Sequence, residues 1–104
     1  MTLISEPTEL SKALDYQADA IVSKTLVDKK SGSVTLFAFA AGQRLSEHTS
    51  PYDALVYVLE GQVTITLAGE PFTVKTGEML LMPAGKPHGL TADTDFKMLL
   101  IMIK

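Results

Sequence analysis

Apolar and polar residues alternate, or gather in short runs, along most of this chain. The segment "QVTITL" (Gln62–Leu67) is the cleanest case. Val63, Ile65 and Leu67 share one face, and Gln62, Thr64 and Thr66 share the other. A period of two places that segment in a strand with one wet face. β-Branched and apolar runs at Ala20–Val27, Ser33–Ala40 and Ala54–Leu59 predict further strands ahead of it. "PFTVK", "EMLLM", a segment starting near His88 and "FKMLLIMI" (Phe96–Ile103) continue the series behind it. "ALVYVL" and "MLLIMI" are apolar on both faces, so both sides of those strands are expected to be covered. Gly-containing turns separate the segments. Glu60-Gly61, between Leu59 and Gln62, reads as a tight hairpin turn. Pro83 and Pro87 interrupt the pattern, because neither can donate to a central ladder.

A helical pattern shows only near the start. In "SEPTELSKAL", Ser5 is placed as a cap, Glu6 and Pro7 fall in the first turn, and Leu10 and Leu14 recur at helical spacing. A short helix near Glu6–Leu14 follows. The whole pattern predicts an all-β fold of eight or nine short strands, a sandwich or small barrel. Residues 1–19 form a helical segment and lead-in, and residues 20–104 form a single barrel domain.

Composition narrows the function classes. A chain of 104 residues supports one core and not two. The net charge is −3 and the basic residues are scattered, which argues against nucleic acid as a partner. There is no cysteine, so any metal must sit on nitrogen and oxygen ligands. The longest apolar run, Met98–Ile103, is far short of a membrane span, and "MTLISEPTEL" lacks the pattern of a signal peptide. A cytoplasmic protein with no membrane partner is expected. The chain is apolar for its size, so some strand faces are expected to bury against a second copy, making a homodimer. A hollow barrel with apolar walls would absorb part of the same excess.

Chemistry concentrates around the only two histidines. Gly42 is followed by "QRLSE", His48, Thr49, Ser50, "PYD", Ala54, "LVYVLE" and Gly61. Later, Gly77 is followed by "EMLLM", Pro83-Ala84-Gly85, "KP" and His88, with Ala92 beyond. These two stretches resemble the paired motifs of the cupins. In that family the first motif runs from a glycine through a His-x-His pair and a glutamate to a second glycine. The second motif joins a glycine, Pro-x-Gly, a histidine and an asparagine. The resemblance implies a jelly-roll barrel with an internal pocket, often dimeric. It also implies a divalent metal such as zinc, iron, manganese or nickel on the family's ligand positions. Of those positions His48 and His88 are kept here, while Ser50 and Ala54 stand where a histidine and a glutamate are expected.

The candidate site follows from that frame. His48 and His88 are the candidate metal ligands, and Asp53 in the "SPYD" turn is the candidate third ligand. Glu47, adjacent to His48, should point outward if its strand is regular. His48, Ser50 and His88, with walls including Phe37, Phe39, Val56, Met82 and Met98, are the expected pocket. His48, His88 and Tyr52 are candidates for acid/base work, with Tyr57 as a weaker helper better read as packed between sheets or subunits. Met79, Met82, Met98 and Met102 fit either a soft pocket wall or ordinary core filling. Lys86 sits where a pocket rim would be and is more often simply solvated there. Three functions remain open: a small-molecule-binding protein, a divalent-metal-dependent oxygenase or isomerase, and a metal-free isomerase using histidine acid/base chemistry. Nothing in the residues identifies the ligand.

Overall fold

The computed structural model describes residues 5–104, and the first residues of the expected lead-in lie outside that range. Nine strands follow one another among the described residues: β1 Ile21–Lys29, β2 Gly32–Phe39, β3 Arg44–His48, β4 Asp53–Glu60, β5 Gln62–Leu67, β6 Glu70–Lys75, β7 Met79–Met82, β8 His88–Ala92 and β9 Phe96–Ile103. They form two antiparallel sheets, β1-β2-β9-β4-β7 and β3-β8-β5-β6. The fold is the all-β jelly-roll barrel that the strand pattern and the motifs implied.

The inner faces of the two sheets supply the core. Phe39, Val56, Val58, Val63, Ile65 and Phe96 are completely buried, and the Phe39 and Phe96 rings stack 4.6 Å apart. Alternation explains the choice. In β9, Phe96, Met98, Leu100 and Met102 point inward, while Lys97, Leu99, Ile101 and Ile103 point outward. In β5 the threonines take the outer face, as the sequence pattern required. Within one chain the outer side of the larger sheet is left open. Tyr57, Met79, Leu81 and Ile103 are all exposed there.

Two local expectations are corrected. Glu60-Gly61 does not close a hairpin, because β4 and β5 belong to different sheets. The chain turns a barrel corner at Gly61, whose φ is +82°, and that glycine lies directly on the start of β9. A Cβ there would overlap the Asp95 carbonyl oxygen and sit 2.7 Å from Phe96 Cβ. The tight hairpin lies one turn later, at Ala68-Gly69, where both residues take positive φ and Leu67 pairs with Glu70. The expected helix over Glu6–Leu14 shrinks to a single 3-10 turn, Leu10–Lys12, with Glu9 and not Ser5 at its cap. So few residues cannot recover the nucleation cost of an α-helix by themselves, and tertiary contacts decide the shape.

Those contacts centre on Lys97, which is only 6% exposed although it faces outward from β9. Its ammonium donates to the Ser11 carbonyl, pairs with Glu60 at 3.5 Å and lies 4.7 Å from the centre of the Tyr16 ring. The Tyr16 hydroxyl donates to Glu60 at 3.0 Å. Burial, with Glu60 beside it, holds the Tyr16 phenol well above its ordinary range. The N-terminal segment is thereby fastened to the outer face of the larger sheet. No helix among the described residues is long and apolar enough to cross a membrane.

Candidate functional site

The two histidines meet because β3 and β8 are neighbours with His48 opposite His88. Their ring centroids are 4.4 Å apart and the rings are edge to face. An irregularity makes this possible. Leu45 pairs with Leu90 and His48 pairs with His88, so β3 spends one more residue than β8 over the same stretch. In a regular strand Leu45 and His48 would face opposite ways. The bulge lets both line the same cavity. Gly89 lies opposite the bulge, and a Cβ at that position would come within 3.2 Å of the Leu45 carbonyl oxygen.

Each imidazole is oriented by its own strand. His48 Nδ1 donates to the Ser46 carbonyl at 2.8 Å, and His88 Nδ1 donates to the Lys86 carbonyl at 3.1 Å. A carbonyl only accepts, so Nδ1 carries the proton in both rings, and the neutral rings hold a lone pair at Nε2. His48 is exposed at the mouth, whereas His88 is 4% exposed. Burial lowers the His88 pKa below its ordinary value. The bond to the Lys86 carbonyl opposes the shift and His48 nearby adds to it. Near neutral pH His88 is therefore an uncharged acceptor.

Beside the pair lies a cavity of about 120 Å³. Of the expected lining, Phe37, His48, Ser50, Met82, His88 and Met98 face it. Phe39 and Val56 do not, since both are fully buried in the core beyond it. Leu45, Ala54, Leu90, Leu100 and Met102 complete the wall; the motif had pointed to Ala54 and the methionine cluster to Met102, while Leu45, Leu90 and Leu100 were not anticipated. Leu100 was readable, because it alternates with Met98 and Met102. Leu45 was not, because only the bulge turns it inward.

Several candidates lie elsewhere. Asp53 does not approach the histidines; its carboxylate accepts from the Ala84 N–H at 2.9 Å and ties β4 to the Pro83–Gly85 turn. The same turn is held from the other side by Gly85 N–H donating to the Ser50 carbonyl at 2.8 Å. Tyr52 is exposed outside the cavity, its ring centre 5.7 Å from the Lys104 ammonium. Tyr57 and Met79 face outward from the larger sheet. Glu47 and Lys86 are exposed and outside the lining, although the Lys86 carbonyl orients His88.

Comparison with known proteins places this architecture. The family model of the cupin domain matches residues 35–104. The chain is a member of the cupin family. The cupin is similar to the conserved protein SPY1581 of unknown function from Streptococcus pyogenes, with 35% identity and a TM-score of 0.92 over 100% of this chain and 96% of that one. It is also similar to a cupin 2 conserved barrel domain protein from Leptotrichia buccalis, at 44% identity and a TM-score of 0.87, covering 90% of this chain and 46% of that one. Polyketide synthase CurC of Streptomyces cyaneus shares 33% identity over 69 residues, 65% of this chain and 45% of that protein. The chain spans about half the length of the curated relatives it matches.

This cupin departs from its family at the metal position. The cavity presents two imidazole nitrogens and the Ser50 hydroxyl, with Ala54 where a carboxylate would complete the set. Among the described residues no three His, Asp or Glu side chains converge. A protein metal site uses three or more ligands, so these residues do not fit the four-ligand centre the family implies.

Proposed function

We propose that this cupin binds a small organic molecule in the barrel cavity without a resident metal, as a sensor, carrier or accessory protein. One observation carries the reading: an apolar cavity ends in two oriented imidazoles with no third ligand to complete a metal shell. Pockets of this make-up, apolar walls with a few convergent polar groups, suit ligand binding. Elemental mass spectrometry on untagged protein purified without added metal, beside the His48→Ala/His88→Ala double variant, is the test. Substoichiometric metal, equal in both, is expected. One tightly held metal per chain that the double variant loses would overturn the reading and favour a metal-dependent oxygenase or isomerase.

The cupin works as a homodimer in the cytoplasm in this reading. The support for pairing is the outer face of the larger sheet, where Leu55, Tyr57, Leu81, Leu99 and Ile101 form cross-strand apolar rows and Tyr57, Met79, Leu81 and Ile103 stay exposed. Light scattering after size exclusion should give twice the chain mass, falling to one chain mass in Leu81→Lys. A monomeric wild-type protein would remove this part of the reading.

A further inference from the structure

The polar end of the cavity restricts which small molecule it accepts. Both Nδ1 atoms are committed to backbone carbonyls, so the ring edges carrying Nε2 are left to face a ligand. Among the described residues no buried side-chain nitrogen lacks a partner, so Nε2 of the buried His88 reaches the cavity surface. Ser50 contributes one hydroxyl, which accepts from the Tyr52 N–H at 3.2 Å and keeps its own proton to donate. The cavity wall therefore includes the His88 Nε2 lone pair and one rotatable donor on Ser50, with His48 at the mouth and apolar surface elsewhere.

Resting on the reading that this is a metal-free ligand pocket, we infer that its ligand is a neutral one-ring molecule bearing a hydroxyl, a phenol in chemical class. A hydroxyl donates its one proton to His88 Nε2 and accepts from Ser50, so it serves the buried acceptor and the donor at once. A carbonyl ligand would use Ser50 alone and leave the His88 lone pair facing an acceptor. A carboxylate would enter an apolar cavity whose lining holds no lysine or arginine to pair with it. A pure hydrocarbon would strip water from Nε2 and give nothing back. Size limits the ligand to one ring: the cavity of about 120 Å³ is smaller than the apolar cavity of about 150 Å³ that takes benzene, and it opens at the mouth beside the exposed His48.

The methionines make the test direct. Met82, Met98 and Met102 line the cavity, while Met79 is exposed on the outer sheet face and serves as an internal control. Protein carrying ¹³C-methyl methionine and ¹⁵N-histidine is titrated with phenol, anisole, benzene and benzoate. Phenol is expected to move the three cavity methyls and the His88 Nε2 resonance, and to bind about tenfold more tightly than anisole, the same ring without a donor. Benzoate is expected to move none of them. In His88→Phe the preference for phenol over anisole should vanish while His48→Ala keeps it, and the wild-type His88 Nε2 shift with phenol but not anisole gives the reading if the buried variant does not fold. Benzene or anisole binding as tightly as phenol would overturn the hydroxyl inference and leave the pocket reading standing. Cavity methyls that no probe moves, or shifts shared equally by Met79, would overturn the pocket reading itself.

Discussion

Replacing Gly61 with alanine tests the barrel corner. Gly61 and Gly42 have nearly the same backbone, φ +82° and +85°, but different surroundings. A Cβ at Gly42 meets nothing within 4 Å, whereas one at Gly61 runs into the Asp95 carbonyl oxygen, Phe96 Cβ at 2.7 Å and Phe96 Cα at 2.9 Å. Left-handed backbone costs an alanine about 1–2 kcal/mol, and that charge falls on both variants. Forcing a methyl against packed backbone adds roughly 1–3 kcal/mol, and it falls on Gly61→Ala alone. Phe96 has no exposure and stacks on Phe39, so the start of β9 cannot yield without opening the core. Gly61→Ala should therefore lose about 2–5 kcal/mol and Gly42→Ala about 1–2 kcal/mol. Urea unfolding at a common slope measures both. Equal losses in the two variants would refute the claim that close approach to β9, and not φ alone, requires glycine at position 61.

The other expectations are simpler to state. Lys97→Ala removes the ammonium shared by Ser11, Glu60 and Tyr16; because Glu60 is partly solvated, the loss should be about 1–3 kcal/mol, with faster proteolysis before β1. An N-terminal segment cleaved no faster than in wild type would sink the fastening role. His88 should titrate below 6.5, its ordinary value, in an NMR pH series. Between that folded value and 6.5 the unfolded chain binds more protons than the native one, so stability falls as the pH drops through that window. A His88 that titrates at or above 6.5 would contradict its burial. Asp53→Ala should lose about 1 kcal/mol through the freed Ala84 N–H and leave metal content unchanged; a change in metal content would return Asp53 to the histidine pair.

Much of this cupin was legible before folding. Gln62–Leu67 and Phe96–Ile103 were read with their final bounds, because strict alternation and long apolar runs are local signals. The second motif, Gly77 through His88, marked the family because it joins a turn, a proline stop and a strand start at set spacing. The helix near Glu6–Leu14 failed for the opposite reason: its pattern was real, but so short a segment takes its shape from what it lies on, here Lys97 and Glu60. Glu60-Gly61 failed because a glycine turn looks the same in sequence whether the chain folds back in one sheet or crosses to the other.

By itself the sequence determined the class of fold, the inward positions of regular strands and the erosion of the family's ligand set at Ser50 and Ala54. Those depend on residue type and on a period of two, and both are printed in the chain. Tertiary structure decided which inward positions surround a cavity and which fill the core, so that Met98 lines the space while Phe39 and Val56 lie beyond it. It also decided that the β3 bulge turns Leu45 and His48 to the same side, and that Asp53 spends its carboxylate on Ala84. Each of these depends on a partner far along the chain, and pairing between distant segments leaves no periodic trace in either one.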